Sequence, residues 1–166
     1  MTNRTKLQLE EAFKKLLLEK PFHKITIKDL TEWILIEDAK KALNEKKDYA
    51  HWKEGLENIF AAVYENKPFI LNVYHDISKD QIEKVLFKLV HGLIESIVEE
   101  RSVETNLNEQ QKNFIAYFYK YGFVGIMLDW IEKGMDENYN EIVDDLEKTV
   151  HGTIDLSIKN FTNNKK

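Results

Sequence analysis

A chain of 166 residues with 43% hydrophobic and 32% charged side chains is sized for one domain with a proper core, or one domain with a small appendage. Six Gly and two Pro favour long helices over a turn-rich sheet, and the lack of Cys excludes a disulfide scaffold, a thiolate metal site and a cysteine nucleophile. No apolar stretch precedes a small-residue cleavage site near the N-terminus, so no signal peptide is expected, and the expected location is the cytoplasm.

The net charge of −5 conceals an asymmetry. Up to residue 28, Arg4, Lys6, Lys14, Lys15, Lys20, Lys24 and Lys28 stand against Glu10, Glu11 and Glu19, whereas the remainder is acidic. A basic end on an acidic body is the electrostatic footprint of a polyanion-binding head; a Lys-rich solvated helix face gives the same composition.

In chain order, the first predicted helix spans about Thr5 to Glu19, with Leu9, Ala12, Phe13, Leu16 and Leu17 as its apolar stripe. Pro21 ends it, because the residue before a proline is pushed out of the α region. Thr26 followed three residues later by Asp29 forms a capping box with Asp in place of Glu. From Ile27 to about Lys47 nothing breaks the helical spacing, which predicts one helix of that length. Trp52, Leu56, Ile59, Phe60 and Val63 mark another, closed by Asn66-Lys67-Pro68. A short helix from Pro68 through Tyr74 follows. A long one then opens at Ser78 with Ile82, Val85, Leu86, Leu89, Val90, Leu93 and Ile97 inward. Arg101 to Asn108 reads as a polar, mobile loop.

The run Phe114 to Met135 is the most apolar in the chain. It cannot span a membrane, because a span needs about twenty apolar residues with few charges and Lys120 and Asp129 interrupt it. A helix apolar on nearly every side must instead be covered on several sides, within one core or by a second copy. Gly122 and Gly125 suit close backbone approach or are simply tolerated. One last helix is expected from about Asn140 to Phe161, with Val143, Leu146, Val150, Ile154, Ser157 and Phe161 on one face. The fold class is all-α, seven to nine helices.

Catalytic chemistry is not visible. His23, His51, His75, His91 and His151 are scattered without ligand spacing, and there is no phosphate loop or G-x-S-x-G. Asp144-Asp145 and Glu99-Glu100 are neighbours in sequence, point to different helix faces and read as solvated surface. No enzyme, metal or cofactor is expected. Asn72, His75 and Lys120 are polar groups in apolar surroundings, able to line a cavity together with Tyr74, Tyr117, Tyr119 and Tyr121; a structural hydrogen bond explains each of them equally well.

The order of these elements resembles the tetracycline-repressor (TetR) family of transcriptional regulators. The head motif is Lys-Pro-Phe-x-Lys-Ile-Thr-Ile-x-Asp-Leu from Lys20 to Leu30. Pro68-Phe-Ile-Leu-Asn-Val-Tyr74, Tyr121-Gly-Phe-Val-Gly-Ile-Met-Leu-Asp-Trp-Ile-Glu-Lys-Gly-Met135 and Glu141-Ile-Val143 resemble the subgroup typified by the dihydroxyacetone-kinase regulator DhaS. The resemblance implies a TetR-like helical bundle: a DNA-binding head over residues 1–47, which runs into the connecting helix, and a ligand-binding and dimerisation domain over 48–166. It also implies a homodimer joined by the last two long helices, with operator DNA and a small-molecule effector or co-regulator protein as partners, and no membrane.

On this basis Arg4, Lys6, Lys24, Thr26 and Lys28 are the candidate phosphate contacts. Asn72, Tyr74, His75, Tyr117, Phe118 and Tyr121 are the candidate effector pocket. Phe123, Ile126, Trp130, Val143, Leu146, Val150, Ile154 and Phe161 are the candidate dimer interface. The sequence departs from the family in the head. A helix-turn-helix places its second helix in the major groove, yet here Thr31-Glu32 is followed directly by Trp33-Ile34, which resembles the start of the family's fourth helix, and by resemblance about twenty residues are missing. Either the recognition helix is deleted or a stretch is omitted between Glu32 and Trp33. The deleted form would be a dimerising module that pairs with an intact paralogue and does not bind DNA.

Overall fold

In a computed structural model of the chain, the described residues are 3–27, 29–30, 33–34, 37, 52–76 and 79–163. All regular structure among them is helical. The predicted helix over 27–47 falls largely outside them, as does the Glu32–Trp33 junction.

Helix α1 runs Asn3–Glu19. Ala12 and Leu16 of its stripe are buried, whereas Leu17 is exposed. Phe13 meets Phe22 edge to face at 5.7 Å across the turn that Pro21 enforces, and a 3-10 turn follows over Phe22–Lys24. The capping box forms as predicted. The Thr26 amide donates to Asp29 Oδ2 at 2.8 Å, and the Asp29 amide donates back to Thr26 Oγ1 at 3.2 Å. Lys20 Nζ lies 2.7 Å from the other carboxylate oxygen, tying the end of α1 to the next helix start.

The body comprises α2 (Trp52–Glu65), α3 (Lys67–Asp76), α4 (Lys79–Arg101), α5 (Glu109–Glu132), α6 (Tyr139–Val150) and α7 (Thr153–Asn163). Helices α4 and α5 make the most extensive pairing; α2 packs on α4 and α6, α3 on α4 and α5, and α7 on α5 and α4. One core runs through them from Trp52 to Ile158, with Trp52 stacked on Phe123 at 5.6 Å and Phe60 against Trp130 at 5.2 Å. At Gly55 an added Cβ would come within 2.6 Å of Leu93 Cδ1, so the close approach of α2 to α4 requires the missing side chain.

Three boundaries differ from the sequence reading. Helix α5 starts a turn and more before Phe114, because Asn108 and Gln111 form a reciprocal capping box: Gln111 N donates to Asn108 Oδ1 at 2.9 Å and Asn108 N to Gln111 Oε1 at 3.0 Å. The segment before it is tied down: Ser102 and Leu107 are buried, and Thr105 Oγ1 donates to the Ser102 carbonyl at 2.7 Å. The single C-terminal helix is two helices. Gly152 takes φ +69°, a left-handed conformation that no α-helix continues through, and α6 and α7 diverge there.

Candidate functional site

Lys6, Lys24 and Thr26 are exposed on the head. The Thr26 hydroxyl, however, donates to Asp29 Oδ2 at 2.8 Å, so it serves the helix cap before any phosphate. Burial of the Asp29 carboxyl opposes ionisation, but hydrogen bonds from Lys20 and from Thr26 outweigh it and hold the group below its ordinary value. The side chains of Arg4 and Lys28 lie outside the described ones.

The candidate pocket residues do not converge. Asn72 is exposed, and the His75 side chain lies outside the described ones. Tyr74 is buried, with its hydroxyl donating to Glu132 Oε2 at 3.4 Å, near the C-terminus of α5. Tyr117, Phe118 and Tyr121 stand about three to four turns earlier on the same helix, all exposed. Tyr117 and Tyr121 pair edge to face at 5.1 Å, and the Tyr121 hydroxyl donates to that of Tyr117 at 3.2 Å. That bond first, and the nearby Lys120 charge second, lower the Tyr117 pKa; the same bond and burial raise that of Tyr121.

Of the candidate interface residues, Phe123, Trp130, Val143, Leu146 and Ile154 are buried in the chain's own core. Val150 and Phe161 are half-buried. Only Ile126, at 41% exposure, stands open. The face of α5 that is bare lies elsewhere: Phe114 and Phe118 are 63% and 68% exposed, and Gly122 and Gly125 continue their line at helical spacing. A Cβ on either glycine would meet nothing within 4 Å, so neither serves a close approach inside this chain. Leu156 of α7 adds to the face at 55% exposure, and Phe114 meets Phe161 at 6.4 Å. The sequence carried the signal for this face: α5 is apolar on two sides, and the sides touched by α4 and α7 account for only part of its circumference.

Next to the bare face, a surface depression of about 270 Å³ lies between α5 and α6. Ile126, Trp130, Ile142 and Leu146 contribute its apolar lining, with Asp129, Glu137 and Asp145 also bordering it. Lys133 pairs with Asp129 at 2.7 Å and Lys148 with Asp145 at 3.0 Å. Asp144 pairs with Lys53 of α2 at the solvated surface, and that hydrogen bond holds its carboxyl below the ordinary range. Among the described residues no group of His, Asp and Glu could hold a metal ion, and no helix is long and apolar enough to cross a membrane.

The family model of a transcriptional regulator C-terminal region, TetR_C_8, matches residues 50–152, more than half of the chain. That span begins at the start of α2 and takes in α3 to α6. No curated protein matches the chain. The all-α body built on α4 and α5 and the matched span agree, and the chain belongs to the TetR family of transcriptional regulators.

Proposed function

We propose that the chain regulates transcription as a homodimer that grips operator DNA with its N-terminal head and answers to a small molecule or a partner protein. One observation carries the dimer: the most apolar helix of the body keeps an aromatic face in water. Phe114 and Phe118 are exposed one turn apart, and exposed large apolar side chains of this kind mark a contact surface. Gly122 and Gly125 leave room for a second helix to cross closely. The interface expected from Phe123, Trp130, Val143, Leu146 and Ile154 therefore moves outward to this line. Boundaries near residue 48 and a DhaS-like subgroup are part of the same reading, supported by the motifs at Pro68–Tyr74 and Tyr121–Met135.

Light scattering on the chain should give twice the monomer mass, and Phe118→Glu should return it to the monomer with its helicity intact. A monomeric parent protein sinks the reading. Gel shifts with the DNA upstream of its own coding region should show binding that weakens as salt rises, because phosphate contacts release counterions. The short head favours a second reading, a dimerising partner of an intact paralogue. Its signature is a dimer that shifts no DNA even at low salt.

A further inference from the structure

On the α4 flank of the bare face sits a cation with no anion. Lys120 is only 7% exposed. Among the described residues no carboxylate or carbonyl pairs with its ammonium. Instead Nζ lies 3.5 Å from the ring centre of Tyr117, 4.9 Å from that of Tyr121 and 5.0 Å from that of Phe87. Ring faces attract a cation without using its N–H donors, the Tyr117 hydroxyl engages at most one of the three, and a buried charge is costly until the others are satisfied. The neighbouring His91 repeats the pattern: its Nδ1 is buried with no hydrogen-bond partner, and its ring is 6.2 Å from that of Tyr117.

These groups form one patch. Phe87 and His91 are a turn apart on α4; Tyr117, Lys120 and Tyr121 fall within about a turn of α5. Phe87 meets Tyr121 at 4.9 Å and closes the set. What separates Lys120 from water is two phenol rings, 51% and 50% exposed, whose hydroxyls bond to each other, that of Tyr117 also engaging Lys120. Every unused group here is an N–H or O–H donor or can become one, and the surroundings are aromatic.

We propose that Phe87, His91, Tyr117, Lys120 and Tyr121 form a binding site for a small, flat organic acid. Its carboxylate takes the Lys120 ammonium, a tyrosine hydroxyl and the Nδ1–H tautomer of His91, and its ring lies against Tyr117 and Tyr121. A carboxylate satisfies the orphaned donors, which a neutral or cationic ligand cannot do. The site does not depend on DNA binding. Tyr121, three residues after Phe118 and four before Gly125, shares the face of Phe114 and Phe118, so the site is open in a monomer and adjoins the proposed dimer contact.

Titration of the full chain with benzoate, followed by amide shifts in α4 and α5, tests this. Saturable shifts around residues 87–91 and 117–121 are expected, with benzamide, the neutral isostere, at least about tenfold weaker. Lys120→Met keeps the apolar stem and should abolish the preference for benzoate, while Lys120→Arg should retain it. Absence of saturable benzoate binding in the parent protein overturns the site, as does equal binding of benzamide. If Lys120→Met leaves small-molecule binding unchanged and instead weakens dimerisation, the ammonium serves a carboxylate of the second copy, and the small-acid site is wrong.

Discussion

Asp29 receives a backbone amide, a hydroxyl and an ammonium, and the helix after Thr26 starts on that convergence. Its pKa is lowered in the fold, so the associated stability is fully present above the unfolded carboxylate value and is lost as pH falls through the folded one. We expect acid to loosen the head's helix start, seen as the Asp29 carboxyl titrating below about 3.9 by NMR. Thr26→Ala should cost about 1 kcal/mol in chemical denaturation. This cap was legible because all its parts lie within four residues. The matching box at Asn108 and Gln111 was not read, because Glu109 to Asn113 is polar and the apolar period begins only at Phe114. Lys120 stood out as a polar residue in an apolar run, but one of its ring partners, Phe87, comes from α4, and only packing brings the two together.

Among the elements, α2 to α4 were readable in type and order from their apolar stripes, and α5 from the length of its apolar run. The division of α6 from α7 was hidden by a stripe that continues in phase through residues 150 to 154; one glycine in a helical pattern is often tolerated, and here it is the break. Gly152→Ala should cost about 1–2 kcal/mol from the left-handed backbone alone, as an Ala Cβ would otherwise meet open space. Gly55→Ala has a different cause. The new Cβ would press on the tip of Leu93, and we expect a loss of about 1–3 kcal/mol, with the double variant with Leu93→Ala losing less than the sum of the two single variants. Trp130→Ala, by contrast, should cost about 3–5 kcal/mol: it removes a fully buried ring packed among Phe60, Tyr64 and Tyr139, and with it the indole hydrogen bond to the Glu137 carbonyl. Thermal melting ranks the three.

For the whole molecule, the sequence singled out the most apolar helix without sorting its faces. Phe123 and Trp130 are as apolar as Phe114 and Phe118, and periodicity alone cannot say which set meets the chain's own α2 and which meets water. The structure separates them by burial, which is why a charge at Phe118 should affect association and one at Phe123 should affect folding. Far-UV circular dichroism alongside light scattering distinguishes the two: Phe118→Glu keeps the helical signal as a monomer, whereas Phe123→Glu loses the signal itself.

The three tryptophans divide along the same lines. Trp52 and Trp130 are buried in the body, whereas Trp33 is half-buried among the residues that follow the Thr26 cap. Intrinsic fluorescence thus carries two separable optical channels, a body signal and a head signal. Replacing Trp33 with Phe should leave only the first, and the difference between the two emission curves along a denaturation becomes a label-free clock for whether the head melts with the body or before it.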